Sequence, residues 1–311
     1  MASTIVVTGG AGFIGSHVVD GLIAAGHRVV VVDNLSTGAR DNVPPGAQLV
    51  ELDVASDAAS DFVASVAPWA IVHCAARASV PASFDDVVKD GRSNIIGTLQ
   101  MLRAATEASS SAFVYMTSGG ALYGDTTILP TAEDAPAQPL SPYGLSKWAG
   151  EEYLRRFAPK SLAVTILRLA NVYGPRQRAD GEGGVVSIFL DAMLRRQEVE
   201  IFGDGDQTRD FVYVGDVVDA VRAALDAERS LTVNIGTGIG TSVNRLFELI
   251  AEMTSYPGAP SRRAPRVGEV RHSELAVTAA VESLGWSPRT DLVHGLRLTA
   301  AAGDMRGARH S

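Results

Sequence analysis

Cysteine, lysine and long apolar runs are what this chain of 311 residues has least of. The single cysteine, Cys74, excludes an intrachain disulfide and any cysteine-rich zinc site. It lies in the apolar run AIVHCAA, where a buried structural thiol is expected rather than a nucleophile. Lysine occurs only at positions 89, 147 and 160, beside many arginines. No stretch approaches the roughly 18 apolar residues of a membrane span. The N-terminus has neither a basic start nor a long apolar segment behind it, so a cytoplasmic protein with no membrane partner is expected. A positive balance is missing too. The net charge of −8 argues against a nucleic-acid partner, although a cleft can still be basic locally. The histidines offer no metal constellation, with His73 in a strand and His272, His294 and His310 scattered. What is present, 46% hydrophobic and 20% charged residues, suits a globular protein with a large core and a smaller second lobe.

The apolar pattern alternates between two periods. Ile5 to Thr8 is a short β-branched run, Phe13 to Ala25 has helical spacing ended by Gly26, and Arg28 to Val32 is a second buried strand. Strands follow at Gln48–Leu52, Ala70–Cys74, Ala112–Thr117 and Ala163–Leu169, with helices at about Asn94–Ser109 and around Tyr143. Continuous Val/Ile runs mark strands covered on both faces, so the expected fold is α/β, a doubly wound parallel sheet. Beyond Asn171 the chain turns Gly-, Pro- and Arg-rich, with helices near Val186–Arg196 and Asp216–Ala227. Leu231–Ile235 reads as one more sheet strand. The division expected is 1–170 plus about 212–236 for the first lobe, and about 171–211 plus 237–311 for the second. The last residues, GDMRGARHS, read as a frayed tail.

Two motifs carry chemistry. TGGAGFIG places Gly9, Gly12 and Gly15 between a strand and a helix, where glycines allow a tight turn and close approach of backbone to a pyrophosphate. Asp33 closes the second strand about 20 residues on, where a carboxylate binds the adenosine ribose hydroxyls and repels a 2′-phosphate, so NAD is expected over NADP. Asp53, ending the third strand, is either near the adenine or a helix N-cap. The second motif, LSPYGLSK, puts Tyr143 and Lys147 one helical turn apart on one face. An ammonium beside a phenol favours the phenolate, which makes Tyr143 a general base for a hydroxyl proton. The alternative is a surface pair that happens to share a face.

Together these features resemble the extended short-chain dehydrogenase/reductase family. The likeness extends through DNLSTG, SNIIGT, SGGALYGD, NVYGPRQ, GDGDQTRDFVYVGDV and LGWSP, nearly the whole chain. Within that family the chain is similar to the NAD-dependent UDP-sugar 4-epimerases. The resemblance implies a Rossmann fold with a smaller substrate-binding lobe. It also implies further cofactor contacts from Phe13, Ile14, Asn34, Ser36, Thr37, Gly38, Val54, Ala75, Ala76 and Asn94, and from Tyr143 and Lys147 themselves. It implies a 4-keto intermediate, hydride leaving C4 for NAD and returning to the other face, and a homodimer paired through the helices after Asn94 and of Tyr143. In the dehydratase branch the segment before Tyr-Gly carries an acidic pair, and in decarboxylating relatives a glutamate. Here those places hold Gly120 and Ala121, and dehydration needs such a carboxylate.

The serine of the best-known epimerases falls on Gly119, which leaves Thr117 and Ser118 as hydroxyls. Ser118 is expected to bond the sugar C4 oxygen, with capping or turn formation as its alternative. By resemblance Asn171, Arg209 and Arg266 meet the UDP portion, since guanidinium suits bidentate phosphate contacts; either arginine could instead be a surface ion pair. Arg178 replaces a commonly acidic residue and so points to a hexuronate carboxylate, UDP-glucuronate ahead of UDP-glucose. Balance by Asp180 and Glu182 is the alternative. A nucleotide-sugar 4-ketoreductase with exchangeable NAD(H) is the rival function. A non-enzymatic dinucleotide sensor is disfavoured because Tyr143 and Lys147 are both kept.

Overall fold

A computed structural model describes residues 3–179, 183–266 and 268–307. Strand β1 (Thr4–Thr8) runs through the glycine turn into α1 (Phe13–Ala24) and back as β2 (Arg28–Asp33). Next come β3 (Ala47–Glu51), α2 (Asp57–Val66) and β4 (Ala70–His73), then the short helices α3 (Val80–Asp85) and α4 (Val87–Gly91). A π-turn at Arg92–Ile96 joins α4 to α5 (Gly97–Glu107), so the expected helix starts earlier than Asn94 and is broken there. β5 (Ala112–Ser118), the helical turn α6 (Gly119–Leu122), α7 (Pro142–Phe157) and β6 (Ala163–Leu169) complete the regular alternation.

The remainder holds β7 (Asn171–Tyr173), α8 (Val185–Leu194), β8 (Glu200–Phe202) and β9 (Thr208–Tyr213). After these come α9 (Val214–Asp226), β10 (Leu231–Ile235), β11 (Gly240–Ser242), α10 (Val243–Thr254), β12 (Ser261–Arg263) and β13 (His272–Ser273). The chain ends in α11 (Thr278–Leu284) and α12 (Leu292–Gly307). Helical backbone therefore covers 303–307 of the expected tail, and 308–311 lie outside the described residues.

Seven strands form one parallel sheet in the order β10-β6-β5-β4-β1-β2-β3, the doubly wound α/β fold expected. Alternating residues serve opposite faces. Ile5 and Val7 enter a core with α1 and α9, while Val6, Ile71, Phe113 and Tyr115 enter another with α2, α5 and α7. That double coverage is why the strands read as unbroken apolar runs rather than as alternation. Leu231–Ile235 is a sheet strand, as read from the sequence, and the structure puts it, as β10, at the far edge beside β6. A second sheet, β11-β9-β13 with β7 on β9, has its own core of Phe189, Met193, Leu246 and Ile250. The cores are not partitioned by sequence position. Leu275, Ala280 and Trp286 are buried in the first sheet's core, and the Trp286 indole N–H donates to the Asp216 carbonyl at 2.9 Å.

Candidate active site

One cleft of about 1810 Å³ runs along the carboxyl ends of β1, β2, β4, β5 and β6 and on past residues within 171–178 and 183–209, Arg266 and 268–270. Its first end is built from backbone. Gly9 has φ +67, and a Cβ there would stand 2.7 Å from the Ala75 Cα. A Cβ on Gly15 would stand 2.2 Å from the Gly9 oxygen, so the start of α1 closes onto the turn only because both side chains are absent. Gly9, Gly12, Phe13, Ile14 and Gly15 all line the cleft. Asp33, almost fully buried at the end of β2, accepts the Ala11 N–H at 2.9 Å and the Leu35 N–H at 2.8 Å. Those bonds fix its carboxylate against the glycine turn while it still faces the cleft. An adenosine diphosphate fits this arrangement: bare backbone at a helix N-terminus for the phosphates, and a held carboxylate for ribose hydroxyls.

Asn34, Ser36, Thr37, Asp53, Val54, Ala75 and Ala76 also line the cleft. Asp53 is not the helix cap considered for it. Its Oδ1 accepts the Ala55 N–H, and Ser56 caps α2 instead. Three expected contacts, Gly38, Asn94 and Lys147, are absent from the wall. Gly38 packs on Ala11, where a Cβ would come within 2.9 Å, so it brings the loop to the turn rather than touching the cleft. Asn94 is fully buried, and its carboxamide is consumed by protein: it accepts the Arg77 N–H and donates to the Arg77 carbonyl, Asp90 and Ser146. It shapes the segment after Ala76 instead of meeting the cleft.

The middle of the cleft holds the expected reacting groups. α7 starts where the Ser141 hydroxyl accepts the Gly144 N–H at 3.1 Å with Pro142 in the first turn, which sets Tyr143 at the helix mouth, in the wall. Lys147 lies behind the wall, buried, its Nζ 4.2 Å from the centroid of the Tyr115 ring. Burial pulls the ammonium down to about 8, and the Glu151 and Asp90 carboxylates act in the opposite sense. Cys74 is half-buried in the wall, yet its thiol is pushed up to about 12 by burial, so at neutral pH it is no nucleophile. Thr117 and Ser118 end β5 in the wall. The Thr117 Oγ1 is buried with no hydrogen-bond partner, and Ser118 makes no side-chain capping bond to α6, which removes the capping alternative. The point where Gly120 would carry a Cβ is 3.4 Å from Asn171 Oδ1, 3.6 Å from Ser273 Oγ and 4.0 Å from Ser118 Oγ. Ser273, on β13, was not singled out in the sequence, because only the β13–β9 pairing carries it there.

The far end is built from side chains. Arg209 donates to the Glu269 carboxylate at 2.9 Å and to the Thr208 carbonyl at 2.7 Å, and burial pulls its guanidinium below the ordinary value. Arg266 lies over the Phe202 ring, 3.9 Å from its centroid. Both arginines and Phe202 line the cleft, as does Arg178, whose carbonyl accepts from the Ser187 hydroxyl. Asp180 and Glu182, its possible counter-charges, lie outside the described residues. The aromatic Phe202 was missed: nothing local in IFGDGD marks it, and its neighbour comes from 64 residues on. Among the described residues no cluster of three His, Cys, Asp or Glu could hold a metal, and no helix is long and apolar enough to cross a membrane.

A family model described as the NAD dependent epimerase/dehydratase family matches residues 5–236. The chain belongs to that family. NAD is accordingly its cofactor. A relative from Mycolicibacterium smegmatis, a UDP-glucose 4-epimerase, is 42% identical over 300 residues, covering 94% of this chain and 96% of that one. The crystal structure of the Thermotoga maritima UDP-glucose 4-epimerase with UDP-glucose superposes with a TM-score of 0.95 at 45% identity, covering 97% of this chain and 99% of the other. A further family-like structure, MoeE5 with UDP-glucuronic acid and NAD, gives 0.88 at 33% identity, covering 97% and 99%.

Proposed function

We propose that the chain is an NAD-dependent 4-epimerase of a UDP-hexose, with UDP-glucose and UDP-galactose as its first pair. The observation that carries the reading is the cleft itself, in which residues of the glycine turn, Tyr143, Thr117 and Ser118 share one lining. Bound NAD supplies the hydride acceptor and donor. Tyr143 takes the proton of the sugar 4-hydroxyl and later returns it, and the buried Lys147 cation beside it favours the phenolate. Ser118, with Thr117, holds the C4 oxygen. Arg209, Arg266 and Asn171 hold the UDP portion, so that the sugar can turn about its diphosphate bond between the two proton transfers. No carboxylate stands at Gly120 or Ala121, which disfavours dehydration. We take the NAD part as 1–170 plus about 212–236, with Leu275, Ala280 and Trp286 packed into its core, and the UDP-sugar part as about 171–211 plus the rest of 237–311.

Tyr143→Phe is the test. It should retain NAD and the fold while epimerisation falls by at least about 100-fold; a variant near wild-type rate would refute the base assignment. Turnover without added NADH separates the epimerase from a ketoreductase with exchangeable cofactor.

UDP-glucuronate is a second reading, favoured by Arg178 in the wall and by the binding of UDP-glucuronic acid in the MoeE5 structure. A 4-keto uronate is a β-keto acid, and a cation holding its carboxylate in the ring plane opposes loss of CO2. Arg178→Ala should then lower kcat/KM for UDP-glucuronate about tenfold more than for UDP-glucose; equal losses remove this reading. We also infer a homodimer through α4, the π-turn and α7, where Val87, Val88, Ile96, Leu145, Tyr153 and Phe157 leave apolar surface exposed. Sedimentation of Tyr153→Asp against wild type reports it.

A further inference from the structure

We propose that Tyr115 is a positioning residue for the reaction: the face of its ring, rather than a carboxylate, supports the Lys147 ammonium. The proposal rests on the epimerase reading for the role of Lys147, although its geometry stands without it. Nζ is 4.2 Å from the ring centroid, and among the described residues no carboxylate lies within ion-pair distance of it. A cation over an aromatic face is attracted by the ring quadrupole, most strongly when both are shielded from water, as here.

The ring is held in that place from several sides. Tyr115 is fully buried in β5, its hydroxyl donates to the Lys147 carbonyl at 3.4 Å, and it stacks on His73 of β4, 5.8 Å away at 15°. α7 comes down onto it at Gly150, where a Cβ would stand 2.4 Å from the Tyr115 hydroxyl oxygen. Any larger residue at 150 would force the Tyr115 ring or α7 to move.

The charged and titratable groups around the ammonium leave the ring as its direct support. His73 on β4 bonds Thr8 and Thr98 and is pulled down to about 3 by burial, so no second cation competes for the ring. Cys74, also on β4, remains a neutral thiol. Burial raises the Tyr115 phenol, which stays neutral. Glu151, on α7, is taken by Arg168 and Arg155, with Arg168 Nη2 at 2.8 Å. Asp90, on α4, accepts from Asn94. Tyr143 occupies the same face of α7 one turn earlier. A carboxylate in contact with Nζ would cancel the charge that Tyr143 feels and occupy its N–H donors. A neutral ring holds the cation without doing either.

Having three lysines makes this measurable. With ε-carbon-labelled lysine in the NAD-saturated protein, Lys89, Lys147 and Lys160 give three signals, and loss of one in Lys147→Arg assigns it. Tyr115→Phe should leave the Lys147 titration midpoint where it is. Tyr115→Leu should lower it by about one pH unit, because losing the ring disfavours the charged form, with Lys89 and Lys160 unmoved. The alkaline limb of kcat/KM should shift down with it. Identical midpoints in the Leu and Phe variants overturn the proposal. Should Tyr115→Leu not fold, phenylalanines of increasing fluorination at position 115 replace it, since fluorine weakens the ring face with little change of shape. A stepwise fall supports the proposal and a flat series overturns it. The midpoint is read whether or not any UDP-sugar turns over, so an inactive protein with the shift intact would end the epimerase reading, and with it the role in that reaction, and leave standing only the ring's support of the ammonium.

Discussion

The two ends of the cleft achieve fit by opposite means. At the β1–α1 end the wall is made by what is missing, with Gly9 and Gly15 letting backbone meet backbone and Asp33 tied by two N–H donors. At the far end it is made by long side chains from loops, Arg209 on Glu269 and Arg266 on Phe202. A backbone-built site is rigid and tolerates no added atom, whereas a side-chain-built site can lose one arm and keep the rest. The cations differ as well, because Arg209 of the far end is paired with a carboxylate, while the buried Lys147 between the two ends is supported by a ring.

That contrast can be broken from either side. The largest effect belongs to Gly15→Ala, whose methyl would lie 2.2 Å from the Gly9 oxygen; NAD affinity should fall by about 100-fold in a direct binding titration. Arg209→Ala comes next. UDP-sugar affinity should weaken by about 30-fold with NAD binding unchanged, since a charge-assisted contact goes and Glu269 is left without its partner. A change in NAD affinity of the same size would mean the two ends are not separate. The smallest effect is that of Arg266→Ala, about threefold in UDP-sugar affinity, because the exposed stack over Phe202 is worth little in water.

The same asymmetry decides how much could be read from sequence. The first end is local: strand, glycines, helix and Asp33 follow one another within about 30 residues, so periodicity and turn chemistry expose them. The strands of the parallel sheet were legible for the same reason, as continuous Val/Ile runs, whereas their order was not. Contacts between distant segments were not. Asn94 looked like a cofactor ligand, yet its amide is spent on the Arg77 backbone 17 residues away, and the π-turn around it has no local signature. Tyr115 read as one more strand residue, because its partner lies 32 positions on, in α7. The buried pair of Arg168 with Glu151, which anchors α7 to β6, is equally silent in sequence.

The packing of Leu275, Ala280 and Trp286 has a consequence for how the chain can be divided. These three plug the face of the NAD-binding sheet beside α9, and Trp286 is latched to Asp216, the first acidic residue of that helix. A fragment ending after Ile235 would leave this plug behind and open a bare apolar seam along α9 and β10. The seven-stranded sheet is thus finished only by residues 40 to 51 positions beyond its final strand, and a ribosome releasing the first 235 residues has made a sheet without its cork.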